Sequence, residues 1–406
     1  MSYPEVVNKP AHRHFDNWIR TTFSALNTEI EEGEKRRREA GNPPGDAPDQ
    51  QGIDRVRRRI RKDGRRHVLD VLNETPLLAS FEERLEVLGN VGMLIASCTR
   101  HGLNEPAQGQ SPLVEESRLA LQLGASLGVA PRLILAPYAT HNKARRGVFK
   151  SFTRYEDERT FIYYNTQGIF EYERASEALE KICALGISNP IALEFFAEAE
   201  AALSKAHEIN DKLYESIDVD TFFYGIRPYY KTSIVGNRSY RGVNAGDFAG
   251  INQIDLLLGL CSADDPFYLN LLVEKTPFVL PHEQEALRRC MIQRSLLDEF
   301  LEAGLESSQD EWFQKGARAF LKVCQAHGRA AAAHHNKLVK KFIERPAEGL
   351  DKEELDDLTA SGPPLPALLN MLEKLRDLRL GKQRSDIRSR HGDLELLKSK
   401  LYDPVA

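Results

Sequence analysis

From Gln167 onward the apolar residues of this chain recur at intervals of three and four, and that periodicity commits it to helices. The segments 169–185, 190–216, 220–230, 247–260, 266–272, 282–305, 310–343 and 366–380 each carry one apolar stripe. Upstream, Phe15, Trp18, Ile19, Phe23, Leu26 and Ile30 mark another helix, and 85–99 and 115–127 two more. Gly102 and Gly128 follow these last two where a left-handed cap would stop them. The stretch 149–165, rich in aromatic and β-branched residues, is the one that favours a strand, while 132–138 suits either form. No period of 20–50 residues recurs, which excludes a solenoid. The expected fold is mainly α, in three parts. Residues 1–66 form an N-terminal helix and a basic, partly mobile extension, 67–150 a small helical domain, and 151–406 a large all-helical domain.

A hydrophobic share of 41% against 28% charged residues is that of a globular protein, and no apolar run reaches the length of a membrane span. The first nine residues lack the apolar core of a secretory signal, so a cytoplasmic location is expected. The five cysteines, Cys98, Cys183, Cys261, Cys290 and Cys324, contain no Cys-x-x-Cys pair, which points to buried thiols rather than disulfides or a thiolate zinc site. Residues 33–66 hold twelve Lys/Arg against six Asp/Glu in a chain of net charge −5. No aromatic residue interleaves them to stack bases, so a solvated helix face is expected there and no nucleic acid.

His-Glu-x-x-His, Gly-x-Ser-x-Gly, the phosphate-binding lysine loop and the dinucleotide glycine pattern are all missing. Three other places could carry chemistry. In 310–343 the pair His334-His335 follows four alanines, 330–333. Ala331 and Ala332 lie one turn before His335, so one flank of that imidazole is bare of bulk, as a flat macrocycle on a helical histidine requires. Alanine is also simply a good helix former, and neighbours about 100° apart on a helix cannot both face one ligand. Next, Phe223 and Arg227 share a face in Phe222-Phe223-Tyr224-Gly225-Ile226-Arg227-Pro228-Tyr229-Tyr230, where a guanidinium beside a ring can hold an aromatic amino acid by its carboxylate. An Arg-Pro at a helix end also fits a structural role. Last, the loop 236–246 combines small residues with Arg238, Arg241, Asn244 and Gly246, which suits close approach to a flat or anionic ligand and equally a plain surface loop.

Taken in order, these pieces resemble the haem-dependent superfamily of indoleamine and tryptophan 2,3-dioxygenases, and within it the monodechloroaminopyrrolnitrin synthase family. The matching runs are Phe222-Phe223-x-x-x-Arg227-Pro228-Tyr229, Tyr240-Arg241-Gly242-x-x-Ala245-Gly246 and Ile254-Asp255-Leu256-Leu257-Leu258-Gly259. Thr276-Pro277-Phe278-Val279-Leu280-Pro281 and Thr99-Arg100-His101-Gly102 resemble the synthase branch, and His335-Asn336-Lys337-Leu338-Val339 the segment bearing the proximal ligand. The resemblance spans about residues 85–385 and implies a two-domain helical fold with haem b (iron protoporphyrin IX) in the large domain. It implies His335 as iron ligand, Ala331, Gly246, Arg238 and Arg241 around the haem, and Arg227 and Asn244 as catalytic residues. Phe222, Phe223, Tyr230 and Arg227 would bind the substrate, and O2 would be the co-substrate. The implied enzyme oxygenates, cleaves or oxidatively rearranges tryptophan or a similar aromatic amino acid in secondary metabolism, with an electron donor among its conceivable partners and no membrane. A non-catalytic haem or aromatic-ligand binder on the same fold is the alternative. The closing loop of such enzymes corresponds to 359–364, and the distal residue to one of Tyr164, Phe170, Tyr172 and Glu173.

Overall fold

The computed structural model describes residues 10–43, 45, 49–347 and 365–402. The fold is mainly α, with one two-stranded antiparallel hairpin among the described residues. Contacts divide the chain into two units that are not contiguous in sequence: Met1–Ile162 with Asp218–Ala245, and Tyr163–Ile217 with Gly246–Gly349 and Pro363–Ala406. The expected boundaries at 66 and 150 therefore give way. The segment bearing Arg227 joins the N-terminal residues, and the basic segment is packed rather than appended.

The first unit begins with helices α1 (Pro10–Trp18) and α2 (Ser24–Glu39), joined by a wide π-helical turn at Ile19–Phe23. Helix α3 (Gln50–Asn73) contains most of the basic run; its Ile53, Val56, Ile60, Val68 and Val71 are buried while the arginines face outward. Arg57 pairs with Glu34 and Arg65 with Glu115, so part of the positive charge is neutralised locally. Helix α4 (Phe81–Arg100) opens with a capping box between Ser80 and Glu83, and α5 (Val114–Leu127) ends at Gly128 in the left-handed conformation. The hairpin pairs Ser233–Val235 with Arg238–Tyr240, turning at Gly236.

The strand expected at 149–165 is not formed. Helix α6 (Glu156–Leu185) takes its second half. The first half is fixed by one side chain: the buried Glu158 carboxylate accepts from the backbone N–H groups of Phe152 and Thr153 at 2.6 and 2.7 Å. A carboxylate that satisfies those donors leaves no ladder for a strand.

In the second unit α7 (Ala192–Ser216) packs along α12 (Glu311–Ala333), and α8 (Gly250–Leu258), α9 (Pro266–Lys275), α10 (Pro281–Ile292) and α11 (Leu296–Ala303) complete the bundle with the helix Leu365–Arg379. The helix expected over 282–305 is broken at Gln293–Ser295, because Ser295 caps α11 by accepting from Asp298 N–H. The helix expected over 310–343 is α-helical only to Ala333 and continues as an eleven-residue π-helix, His334–Glu344. No helix of the described residues is long and apolar enough to cross a membrane.

Two glycines test this packing in opposite directions. A Cβ on Gly242 would fall inside the Tyr230 carbonyl, whereas one on Gly168, within α6, meets only Ile209 at ordinary distance. Gly242→Ala is expected to cost about 3 kcal/mol or more, and Gly168→Ala to stabilise by about 0.5–1 kcal/mol, in chemical denaturation.

Candidate functional site

In the first unit the segment expected as a helix over 220–230 is irregular, a π turn at Thr221–Ile226 followed by a 3-10 turn at Arg227–Tyr230. Pro228 cannot donate to a helical ladder, and Gly225 lets the ring of Tyr155 come close. The tight winding draws Arg227 inward. Its guanidinium lies 5.5 Å from the ring centre of Phe223, and both side chains are buried. Burial pushes the guanidinium down to about 10. Phe222 packs on Phe161 at 5.0 Å, and Phe161 stacks on Tyr230. The Tyr230 hydroxyl lies 2.9 Å from that of Tyr138, which donates to Glu158 at 2.7 Å. Tyr230 thus offers an aromatic face, its hydroxyl being held by an interior chain of hydrogen bonds. Arg238 is exposed on the hairpin, Arg241 donates to the Gly242 carbonyl, and Asn244 is half-buried in the following loop. The structure brings Arg227 together with Phe223, and Phe222 with Tyr230 through Phe161; Arg238 stands apart on the exposed hairpin.

The second unit contains Ala331, Gly246 and the histidine pair. Helix α12 is anchored by His327, fully buried, whose Nε2 lies 2.7 Å from Asp255 Oδ1 on α8. Asp255 also accepts from Tyr268 Oη at 2.7 Å and from Arg379 through Nε and Nη2 at 2.9 and 2.7 Å. Burial opposes the carboxylate charge, but Arg379 and the hydrogen bonds from His327 and Arg379 outweigh it and hold Asp255 well below the usual range. Burial in turn lowers the His327 imidazole, against the pull of Asp255. None of these four residues was singled out as functional from sequence. A carboxylate set inside Ile254-Asp255-Leu256-Leu257-Leu258 was the available signal, since such a charge requires partners.

The two histidines diverge. His334 lies two turns beyond His327, on the side of Arg379; burial, Arg379 and His335 together lower its imidazole to about 4. Its side chain is nonetheless exposed. Ala330 and Ala331, one turn back, are both buried. His335 is buried, in different surroundings. Arg376, Lys340, Glu373 and Glu344 act on it, and its Nδ1 is buried with no hydrogen-bond partner among the described residues. The loop expected to close the site, 359–364, lies outside the described residues.

A family model described as monodechloroaminopyrrolnitrin synthase PrnB matches residues 10–401, nearly the whole chain. The chain belongs to the monodechloroaminopyrrolnitrin synthase family. The match includes residues 10–66, for which the sequence reading offered no counterpart, and this agrees with α1–α3 being packed into the first unit.

Within this family member the four distal candidates have different environments. Phe170 is exposed, Tyr164 half-buried, and Tyr172 packs edge-on to His327 and against Phe248. Glu173 is the one with a shifted carboxyl, raised to about 7 by burial and by Glu283 and Glu177. A carboxyl raised in the folded state penalises folding once pH exceeds its unfolded value near 4.5, and fully so above about 7. Glu173→Gln is therefore expected to stabilise the protein at pH 8 and to leave it unchanged at pH 4, as measured by denaturant midpoints.

Proposed function

We propose that this protein is a haem b-dependent oxygenase acting on tryptophan or a closely related aromatic amino acid, with O2 as co-substrate. The observation that carries the reading is a buried histidine, His335, which follows a run of four alanines on one helix and whose Nδ1 has no hydrogen-bond partner among the described residues, in a member of this synthase family. A helical histidine of that kind suits a porphyrin iron, which would take one imidazole nitrogen from the protein. When bound, the haem would supply an iron that takes up dioxygen and delivers oxygen to an electron-rich ring.

The family motif points to His335 as the donor. His334 is exposed, and we take His335, which is buried with an Nδ1 that has no hydrogen-bond partner among the described residues. Asp255, Arg379 and His327 hold the helix that presents it. Arg227 fixes the substrate carboxylate: a guanidinium that burial has stripped of water gains most from an incoming anion. Phe223 backs the guanidinium, and Phe222 with Tyr230 supplies an aromatic wall for the indole. Asn244, in the loop after Gly242, and Arg241 are the further candidates for contact with substrate and haem; exposed Arg238 is the weakest of the propionate partners.

Reconstituted with haemin, the protein is expected to show a Soret band that His335→Ala abolishes and His334→Ala retains. The reverse result would move the ligand to His334, and a chain colourless after reconstitution would remove the oxygenase reading. Arg227→Ala is expected to keep the band and weaken tryptophan binding by about 2 kcal/mol or more in a spectral titration.

A further inference from the structure

The motif Thr99-Arg100-His101-Gly102 at the end of α4 has no part in the roles assigned so far. In the structure its first three residues all touch the segment that bears Arg227. Thr99 Oγ1 reaches Ser233 Oγ at 3.3 Å. Arg100 Nη2 donates to the carbonyl of Tyr224, three residues before Arg227, at 3.1 Å. His101 packs edge-on to Tyr229, two residues after it.

The centre of this arrangement is Glu31, on α2 and almost completely buried. Its carboxylate takes Arg100 in a two-pronged pair, Nε to Oε1 at 3.0 Å and Nη2 to Oε2 at 2.9 Å, and its charge acts on the Tyr229 hydroxyl, which lies 3.4 Å from His101 Nε2. One buried carboxylate therefore acts on both sides of Arg227: at residue 224 through the Arg100 guanidinium, and at residue 229 through its charge on the hydroxyl. The held stretch is the one that lacks a regular helical ladder, with the π turn giving way to the 3-10 turn at Arg227 itself. A backbone without its own ladder takes its direction from such outside bonds. His101 is tied down in turn, its Nε2 lying 2.8 Å from Asn27 Oδ1, which also accepts from Ser97.

We propose that Glu31 and Arg100, acting through Tyr224 and Tyr229, are positioning residues that set the direction of Arg227 and with it the recognition of the substrate carboxylate. The proposal rests on the reading of Arg227 as carboxylate clamp. It places the determinant of amino-acid recognition on α2 and α4, in residues that need not touch the substrate.

The test uses haem-loaded protein and two ligands of like ring, tryptophan and 3-methylindole, which lacks the carboxylate. Glu31→Gln keeps the shape of the side chain and removes its charge. It is expected to raise the tryptophan Kd roughly tenfold, a misplacement penalty, and to leave the 3-methylindole Kd and the Soret band unchanged. Added to Arg227→Ala it should cost nothing further, because two residues acting on one contact are not additive. Should Glu31→Gln fail to fold, Arg100→Lys, which keeps a positive charge opposite Glu31 but lacks the fork that spans both partners, carries the same expectation. Equal weakening of both ligands, or a penalty additive with Arg227→Ala, would overturn the positioning role. If Arg227→Ala weakens tryptophan while Glu31→Gln and Arg100→Lys do not, the clamp stands and the positioning proposal falls. If Arg227→Ala leaves tryptophan binding unchanged, both fall.

Discussion

The second unit is built around one carboxylate. Asp255 takes hydrogen bonds from Tyr268, His327 and Arg379 with no exposure to solvent, and so joins α8, α9, α12 and the helix Leu365–Arg379 at a single point. A buried charge with a full complement of donors is costly to break, and its geometry is exacting. Because His327 on α12 is one of those donors, the rotation of α12 about its own axis is fixed, and the direction of the histidine pair two turns later follows from it. Through Asn252, which donates to Tyr268 and accepts from Lys275, the same network reaches the carbonyl of Phe248 at the entrance to α8.

The first unit solves a different problem, that of holding irregular backbone in the interior. Residues 221–230 and 241–245 have little regular structure, and their shape is set from outside. Arg132 donates to the Gly242 carbonyl at 3.0 Å, Arg100 to the Tyr224 carbonyl, and Gly242 lies so close to Tyr230 that only a glycine fits. Such segments can place an arginine where no helix face would have put it.

These differences explain what could be read from the sequence. Helices announced by a single apolar stripe were legible: α4, α5, α7 and most of α12 lie where the period put them, and the glycines at 102 and 128 have the left-handed backbone that a cap requires. The aromatic run at 149–165 misled because β-propensity reflects packing, and Glu158 supplied the backbone with other partners. The pairing of Phe223 with Arg227 was legible from a spacing of four, although the winding is not that of an α-helix. Which histidine of the pair is buried was not legible. The helix that carries them is held through His327 by Asp255, Tyr268 and Arg379, which lie 44 residues or more from either histidine and are joined only by folding.

The wide helix His334–Glu344 has a consequence for the length of the chain itself. Each of its turns takes in about one residue more than an α-helical turn, with bonds running from i to i+5. Lys337 and Lys341 emerge from it toward α7, the first pairing with Asp211 at 2.7 Å and the second covering the ring of Tyr214 at 4.2 Å. A single deletion within this stretch can be taken up by rewinding to the ordinary pitch, without a loop and without disturbing the turns before it. Homologous chains can therefore differ by one residue just after the histidine pair and still present the same imidazole, which makes register a poor guide to the donor in alignments across this point.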